Sequence, residues 1–103
     1  MHAAARINVF TGVDSIVGQI GSPSARIRKK AAEVLGRMRA ADAVVGLIAL
    51  TSEAGESDAG VRKSAVAALG EIGDPAAADA VTAAQSDSDG FVRDAANVAI
   101  RRF

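Results

Sequence analysis

The stretch that decides the fold is ALGEIGDPAAADAV, residues 68–81. Two glycines three apart, Gly70 and Gly73, precede Asp74-Pro75 and a run that is mostly alanine. It reads either as a glycine loop that holds a phosphate or as the corner between two helices. A phosphate loop needs a strand before it and usually Lys-Ser/Thr after it, and neither is present. The corner reading uses every residue. Gly70 falls within a helix, where the missing side chain permits a neighbour to approach closely. Gly73 follows the last apolar position, where a left-handed residue stops a helix. Asp74 can cap the next helix, and Pro75 suits its first turn because proline leaves no N–H unpaired there.

Working outward, the helix before this corner is written three times. IRKKAAEVLGRM (27–38), VRKSAVAALGEI (61–72) and VRDAANVAIRRF (92–103) align without gaps at offsets of 34 and 31 residues. Their apolar sets are Ile27, Ala31, Val34, Leu35, Met38; then Val61, Ala65, Ala68, Leu69, Ile72; then Val92, Ala96, Ala99, Ile100, Phe103. Steps of four, three, one and three residues trace one stripe along a helix. Four residues before the shared arginines Arg28, Arg62 and Arg93 stand Ser24, Asp58 and Asp89, each able to accept from a first-turn N–H. The second helices, AADAVVGLIAL (40–50) and DPAAADAVTAAQ (74–85), match at the same offset of 34. The pattern predicts helices near 13–20, 24–39, 41–51, 58–72, 75–85 and 90–103, with a short one at 3–10. TSEAGESDAG (51–60) reads as a solvated surface turn.

Length and composition agree with small-residue helix packing. The chain has 103 residues, half of them apolar and only three aromatic, enough for one domain with a modest core. It contains no cysteine, so it offers no disulfide framework or thiolate metal site, and a cytoplasmic setting is expected. No segment has the roughly 20 apolar residues of a membrane span. Net charge is zero but uneven. Residues 1–40 carry seven Lys/Arg against Asp14 and Glu33, whereas 41–103 carry five against ten Asp/Glu.

The run Asp-x-x-Val-Arg-x-x-Ala-x-x-Ala-Leu-Gly-x-Ile-Gly-Asp-Pro, from Asp58 to Pro75, resembles the HEAT-like repeats of the phycobilisome-lyase type. The resemblance covers about 13–103 and is strongest in the second repeat. The first repeat departs from it, with Ala40-Ala41 in place of Asp-Pro. The resemblance implies an all-α fold, a short α-solenoid of stacked antiparallel helix pairs. The expected organisation is one domain over 1–103: a partial repeat at 1–22, repeats near 23–56 and 57–87, and a half-repeat at 88–103.

No residue pattern carries catalysis. His2 is the only histidine, and no nucleophile stands beside a base. Some HEAT-like enzymes bind iron through His-Glu pairs, and this sequence has none. Asp87, Asp89 and Asp94 cluster in sequence but lack the spacing of a calcium loop. No catalytic, cofactor or metal residue is therefore assigned, and no enzymatic activity is expected. The basic run Arg26-Ile27-Arg28-Lys29-Lys30 could meet nucleic-acid phosphates, yet Asp94 stands where Lys29 and Lys63 stand in the other copies, so no basic stripe continues. Nucleic acid is an unlikely partner on this pattern.

The sequence reading is a non-catalytic protein-binding or assembly module. By resemblance, the second helices line the concave face, placing Asp42, Val45, Ala49, Asp79, Thr82 and Ala83 toward a protein partner. The alternatives are a subunit or fragment of a bilin-lyase-like enzyme, or a weak nucleic-acid binder through the Arg26–Lys30 patch. Arg28, Arg62 and Arg93 are expected to pair with acidic caps such as Asp58, Asp74 or Asp89, since a first-turn cation needs an anion to offset the helix dipole. Finally, the third copy stops without a second helix. Its stripe is expected to lack cover, which predicts a homodimer with Ile100 and Phe103 at the interface.

Overall fold

The computed structural model describes residues 13–103, so the helix expected at 3–10 lies outside the described residues. The described chain is helical, with no strand. Helix α1 covers 13–18 and tightens into a 3₁₀ turn, Gln19–Gly21. Helix α2 is Ala25–Arg37, α3 Val44–Ala49, α4 Ala59–Ile72, α5 Ala78–Ala84 and α6 Gly90–Ala99. The first helices α2, α4 and α6 pack side by side in order, with α3 against α4 and α5 against α4 and α6. The arrangement is a short α-solenoid.

Each long helix starts where a side chain closes its first turn. Ser24 Oγ accepts from the Ile27 N–H at 3.4 Å, Asp58 Oδ1 from Val61 at 3.0 Å, and Asp89 Oδ1 from Phe91 at 2.8 Å and Val92 at 3.1 Å. At the decisive corner, Gly73 adopts φ 72° and its N–H donates to the Leu69 carbonyl at 2.9 Å. Asp74 then accepts from Ala76, and the chain passes through a 3₁₀ turn, Pro75–Ala77, into α5.

The equivalent corner of the first repeat is made differently. Arg39 stands in register with Gly73 and takes φ 50°, the one positive φ outside glycine among the described residues. Ala40 offers no side-chain cap to the 3₁₀ turn Ala41–Ala43 that leads into α3.

The core is aliphatic and built from small side chains. Leu35, Leu47, Leu69, Val61, Val66, Val81 and Val92 are its largest fully enclosed members. The repeated stripe is buried at its middle in every copy, but its ends differ. Ile27 and Met38 of α2 are exposed, because among the described residues α2 meets a long helix only on its α4 side. The loop 51–60 is exposed over most of its length, as expected, but not at two positions. Thr51 and Glu56 are buried, and Glu56 is anchored there by an arginine.

Candidate functional site

Along the joint between repeats runs a series of arginines in one register. Arg28 donates through Nε and Nη2 to the two Glu56 carboxylate oxygens at 2.6 and 2.8 Å. Arg62 grips Asp87 in the same two-pronged way, both bonds at 3.0 Å. In each case Nη1 turns back to the chain just ahead of its own helix. Arg28 reaches the Ser22 carbonyl at 2.9 Å, and Arg62 reaches those of Glu56 and Ser57 at 3.0 and 3.1 Å. Parallel bonds to both carboxylate oxygens fix distance and orientation together, which a lysine could not do.

The carboxylates come from one repeated position, six residues before an arginine and two before a helix cap. Ser22, Glu56 and Asp87 occupy it. Each accepts the N–H of the cap residue: Ser24 to Ser22, Asp58 to Glu56, Asp89 to Asp87. The caps expected to hold the arginines, Asp58, Asp74 and Asp89, do not pair with them. Their carboxylates already take the first-turn N–H groups, and the position two residues upstream lies closer to the preceding repeat. Asp74 caps α5 at the opposite corner.

Burial sets the electrostatics. The Arg62 and Asp87 side chains are only 5% and 3% exposed. Burial pushes the Asp87 carboxyl up, but Arg62 and the Asp89 N–H more than offset this and hold it below the usual aspartate range. The Arg28 hydrogen bond likewise pulls Glu56 below the ordinary glutamate range, against the cost of burial. No buried side-chain polar atom among the described residues lacks a partner.

The third arginine repeats half of this arrangement. Arg93 Nη1 donates to the carbonyls of Asp87 and Ser88 at 2.8 and 3.0 Å, as Arg62 does one repeat earlier. Its Nε and Nη2 edge meets no carboxylate among the described residues.

The face that follows this arginine also changes. In α2 and α4 the positions four and eight residues on are Ala32 and Gly36, then Val66 and Gly70, all buried. A β-carbon at Gly36 would lie 2.8 Å from both Cα and Cβ of Ala68, and one at Gly70 would lie 2.8 Å from the Ala99 Cβ. Those glycines are where the next helix makes its closest approach. After Arg93 the same positions are Asn97 in α6 and Arg101 in the 3₁₀ turn Ile100–Arg102 beyond it, both exposed. Asn97 accepts from Gln85 Nε2 at 3.0 Å.

The expectation that the third stripe lacks cover is corrected here. Val92, Ala96 and Ala99 are buried because α6 turns that stripe toward α4 and α5, inside the chain. Ile100 is half-buried at the edge of the core, and Phe103 is 37% exposed.

The concave-face residues Asp42, Val45, Ala49, Asp79, Thr82 and Ala83 are all exposed, and Val45 is 82% exposed. Beside Ala83 lies a groove of about 320 Å³ between α3 and α5, lined by Ile48, Thr51, Glu53, Ala80, Ala83 and Asp87 among others. In the basic run, Arg26, Lys29 and Lys30 face solvent while Arg28 is committed to Glu56. The aspartates 87, 89 and 94 do not converge, since Asp87 holds Arg62 and Asp89 caps α6. Among the described residues no three His, Cys, Asp or Glu side chains gather as metal ligands would. None of the described helices is long and apolar enough to cross a membrane.

Comparisons with known proteins agree with this architecture. No curated protein matches the chain. Among solved structures, human deoxyhypusine hydroxylase in complex with glycerol is similar, at 29% sequence identity and a TM-score of 0.77. The match covers 87% of this chain and 31% of the hydroxylase, so the chain spans about a third of that protein's length. Residues 13–101 match the family described as HEAT repeats, and that span covers most of the sequence, so the chain belongs to the HEAT repeat family.

Proposed function

We propose that this protein is a non-catalytic protein-binding module, with repeats of the phycobilisome-lyase type, whose second helices present the binding face. The observation that carries this reading is the exposure of Val45 on α3, beside Ala49 and in line with Ala83 on α5. Apolar surface that extends beyond a single residue is what a contact face offers, and Val45 is joined on this face by Ala49 and Ala83, both exposed. The groove between α3 and α5 continues that face and ends at polar groups, Thr51 and Glu53, that can orient an occupant.

A partner captured by the wild-type chain in stoichiometric amount should be lost to Val45→Glu and Ala83→Glu, with no change in melting temperature. Capture that survives both substitutions would overturn the reading. The likeness to deoxyhypusine hydroxylase supports a second reading, a component of a larger enzyme. Under that reading, turnover or a bound pigment would accompany the purified complex and would survive substitution of Val45.

A further inference from the structure

Charge is divided between the two kinds of helix. Every Lys and Arg of the described residues lies on α2, α4, α6 or the turns that end them, and none lies on α3, α5 or the loops that follow those two. Asp42 stands in the turn that leads into α3, Asp79 in the first turn of α5, and Glu53 at the far end of the groove between these helices. Asp42 and Asp79 have no ion-pair partner among the described residues. Arg62 lies 3.9 Å from Glu53 but 3.0 Å from Asp87, and its side chain is 5% exposed whereas that of Glu53 is 54% exposed. The arginine is committed to its buried partner, and Glu53 keeps much of its surface in solvent.

Between these acids the groove is apolar. Ile48 of α3 and Ala80, Ala83 and Ala84 of α5 line it. Val45, three residues before Ile48, continues the strip by one helical turn. We propose that this groove takes a cationic amphipathic helix of a different protein, its large apolar side chains against the alanines and its Lys or Arg residues toward Glu53 and Asp79. The proposal rests on the concave-face reading and supplies the chemistry of the partner.

The small lining residues leave space that larger side chains of the occupant fill. Two helices offer no backbone edge to an extended peptide, whereas a helix arrives with its own backbone bonds made. Its flanking cations then meet carboxylates that steer the approach and fix the orientation. The same acids repel nucleic-acid phosphates and anionic lipid. A second copy is the poorer match, because the exposed Ile27 and Met38 of its basic helix α2 are separated by charged residues and form no continuous strip.

The test uses the whole chain and a fluorescent helical peptide of Leu and Lys with its leucines in one strip, read by anisotropy and by methyl magnetic resonance. Binding should shift the methyl signals of Val45, Ile48, Ala80 and Ala83 and should weaken as salt rises. It should fall at least about tenfold for a Leu/Glu peptide of the same spacing and for a scrambled Leu/Lys peptide. Glu53→Lys and Asp79→Lys should each weaken it severalfold, and the salt series decides the matter if either variant fails to fold. The proposal is overturned by no binding of the Leu/Lys peptide, by equal binding of either control peptide, or by indifference to salt and charge reversal. Shifts confined to residues outside the groove, or a dimer of the free chain that Glu53→Lys breaks in light scattering, would overturn it too. The two readings fail separately. A captured partner lost to Val45→Glu but unaffected by Glu53→Lys and Asp79→Lys keeps the binding face and removes the cationic occupant, whereas capture that survives Val45→Glu and Ala83→Glu removes the face itself.

Discussion

The same three positions are buried on α4 and exposed in the third copy of that helix. On α4 they are Arg62, Val66 and Gly70, sealed against the next helix. In the third copy they are Arg93 and Asn97 on α6 and Arg101 in the 3₁₀ turn Ile100–Arg102 beyond it, all exposed. The opposite stripes of the two helices stay alike, with Val61, Ala65 and Ala68 matched by Val92, Ala96 and Ala99, all buried. The inward face of a repeat is held to one pattern by the neighbour before it. The outward face is free to change with what it meets, and there the side chains turn polar and charged.

The largest test of this contrast is to truncate the two arginines separately. Arg62→Ala leaves Asp87 buried without its partner and should cost about 3–5 kcal/mol in chemical denaturation. Arg93→Ala gives up two bonds to linker carbonyls, one part-buried and one exposed, and leaves no charge unpaired, so it should cost no more than about 1 kcal/mol. Equal losses would erase the distinction between the inner and outer arginine.

A second test adds volume at the contact glycines. Gly70→Leu forces side-chain atoms into Ala99 and should destabilise by about 1–3 kcal/mol, even after the helix propensity a β-carbon returns. The mirror substitution, Arg101→Gly, opens no contact and should cost no more than about 1 kcal/mol from propensity alone. If the leucine variant melts with the wild type, α4 and α6 are not in close contact at Gly70.

Acid should act on the inner joints. Glu56 and Asp87 have lower proton affinity in the fold than when unfolded, so both pairs contribute stability at neutral pH. That contribution holds down to the ordinary carboxylate range and is lost as pH falls through the depressed folded values. Melting followed from about pH 5 to pH 2 should show this loss, shallower in Asp87→Asn. An unchanged slope in that variant would mean that Asp87 titrates normally.

The smallest effect concerns the two corners. Arg39→Gly should relieve the left-handed strain at the first corner and gain up to about 1 kcal/mol, whereas Gly73→Ala should lose about as much. A neutral result at both would mean that neither backbone is strained.

Much of this architecture was legible because it is local. Helix starts, the glycine stop at Gly73 and the apolar stripe each depend on residues within a turn or two, and they recur in three copies. The 3₁₀ entries to α3 and α5 were not legible, since a single tightened turn leaves no periodic signal. The arginines stand out in the sequence as a repeated oddity, but the caps that the sequence offers as their acceptors are engaged with first-turn N–H groups. Glu56 sits in a loop whose composition reads as solvated, and only its register with Asp87, six residues before an arginine in each case, distinguishes it. That register lies upstream of the repeated helix, outside the span over which the three copies align. The burial of Ala32 and Val66 was equally hidden, because one stripe was enough to explain a helix, and an inner repeat needs two.

Asp87 sits in a linker shared by two repeats. Its carboxylate belongs to the repeat behind through Arg62, and to the one ahead through the Asp89 N–H and the grip of Arg93 on its carbonyl. A stack of near-identical units could melt one unit at a time, each with its own transition. Here the joint cannot open on one side without loosening the other, so amide exchange at Asp89 should report the release of both neighbours together. The unit of unfolding is thereby made larger than the unit of repetition, and a chain of this size can lose its structure in one step.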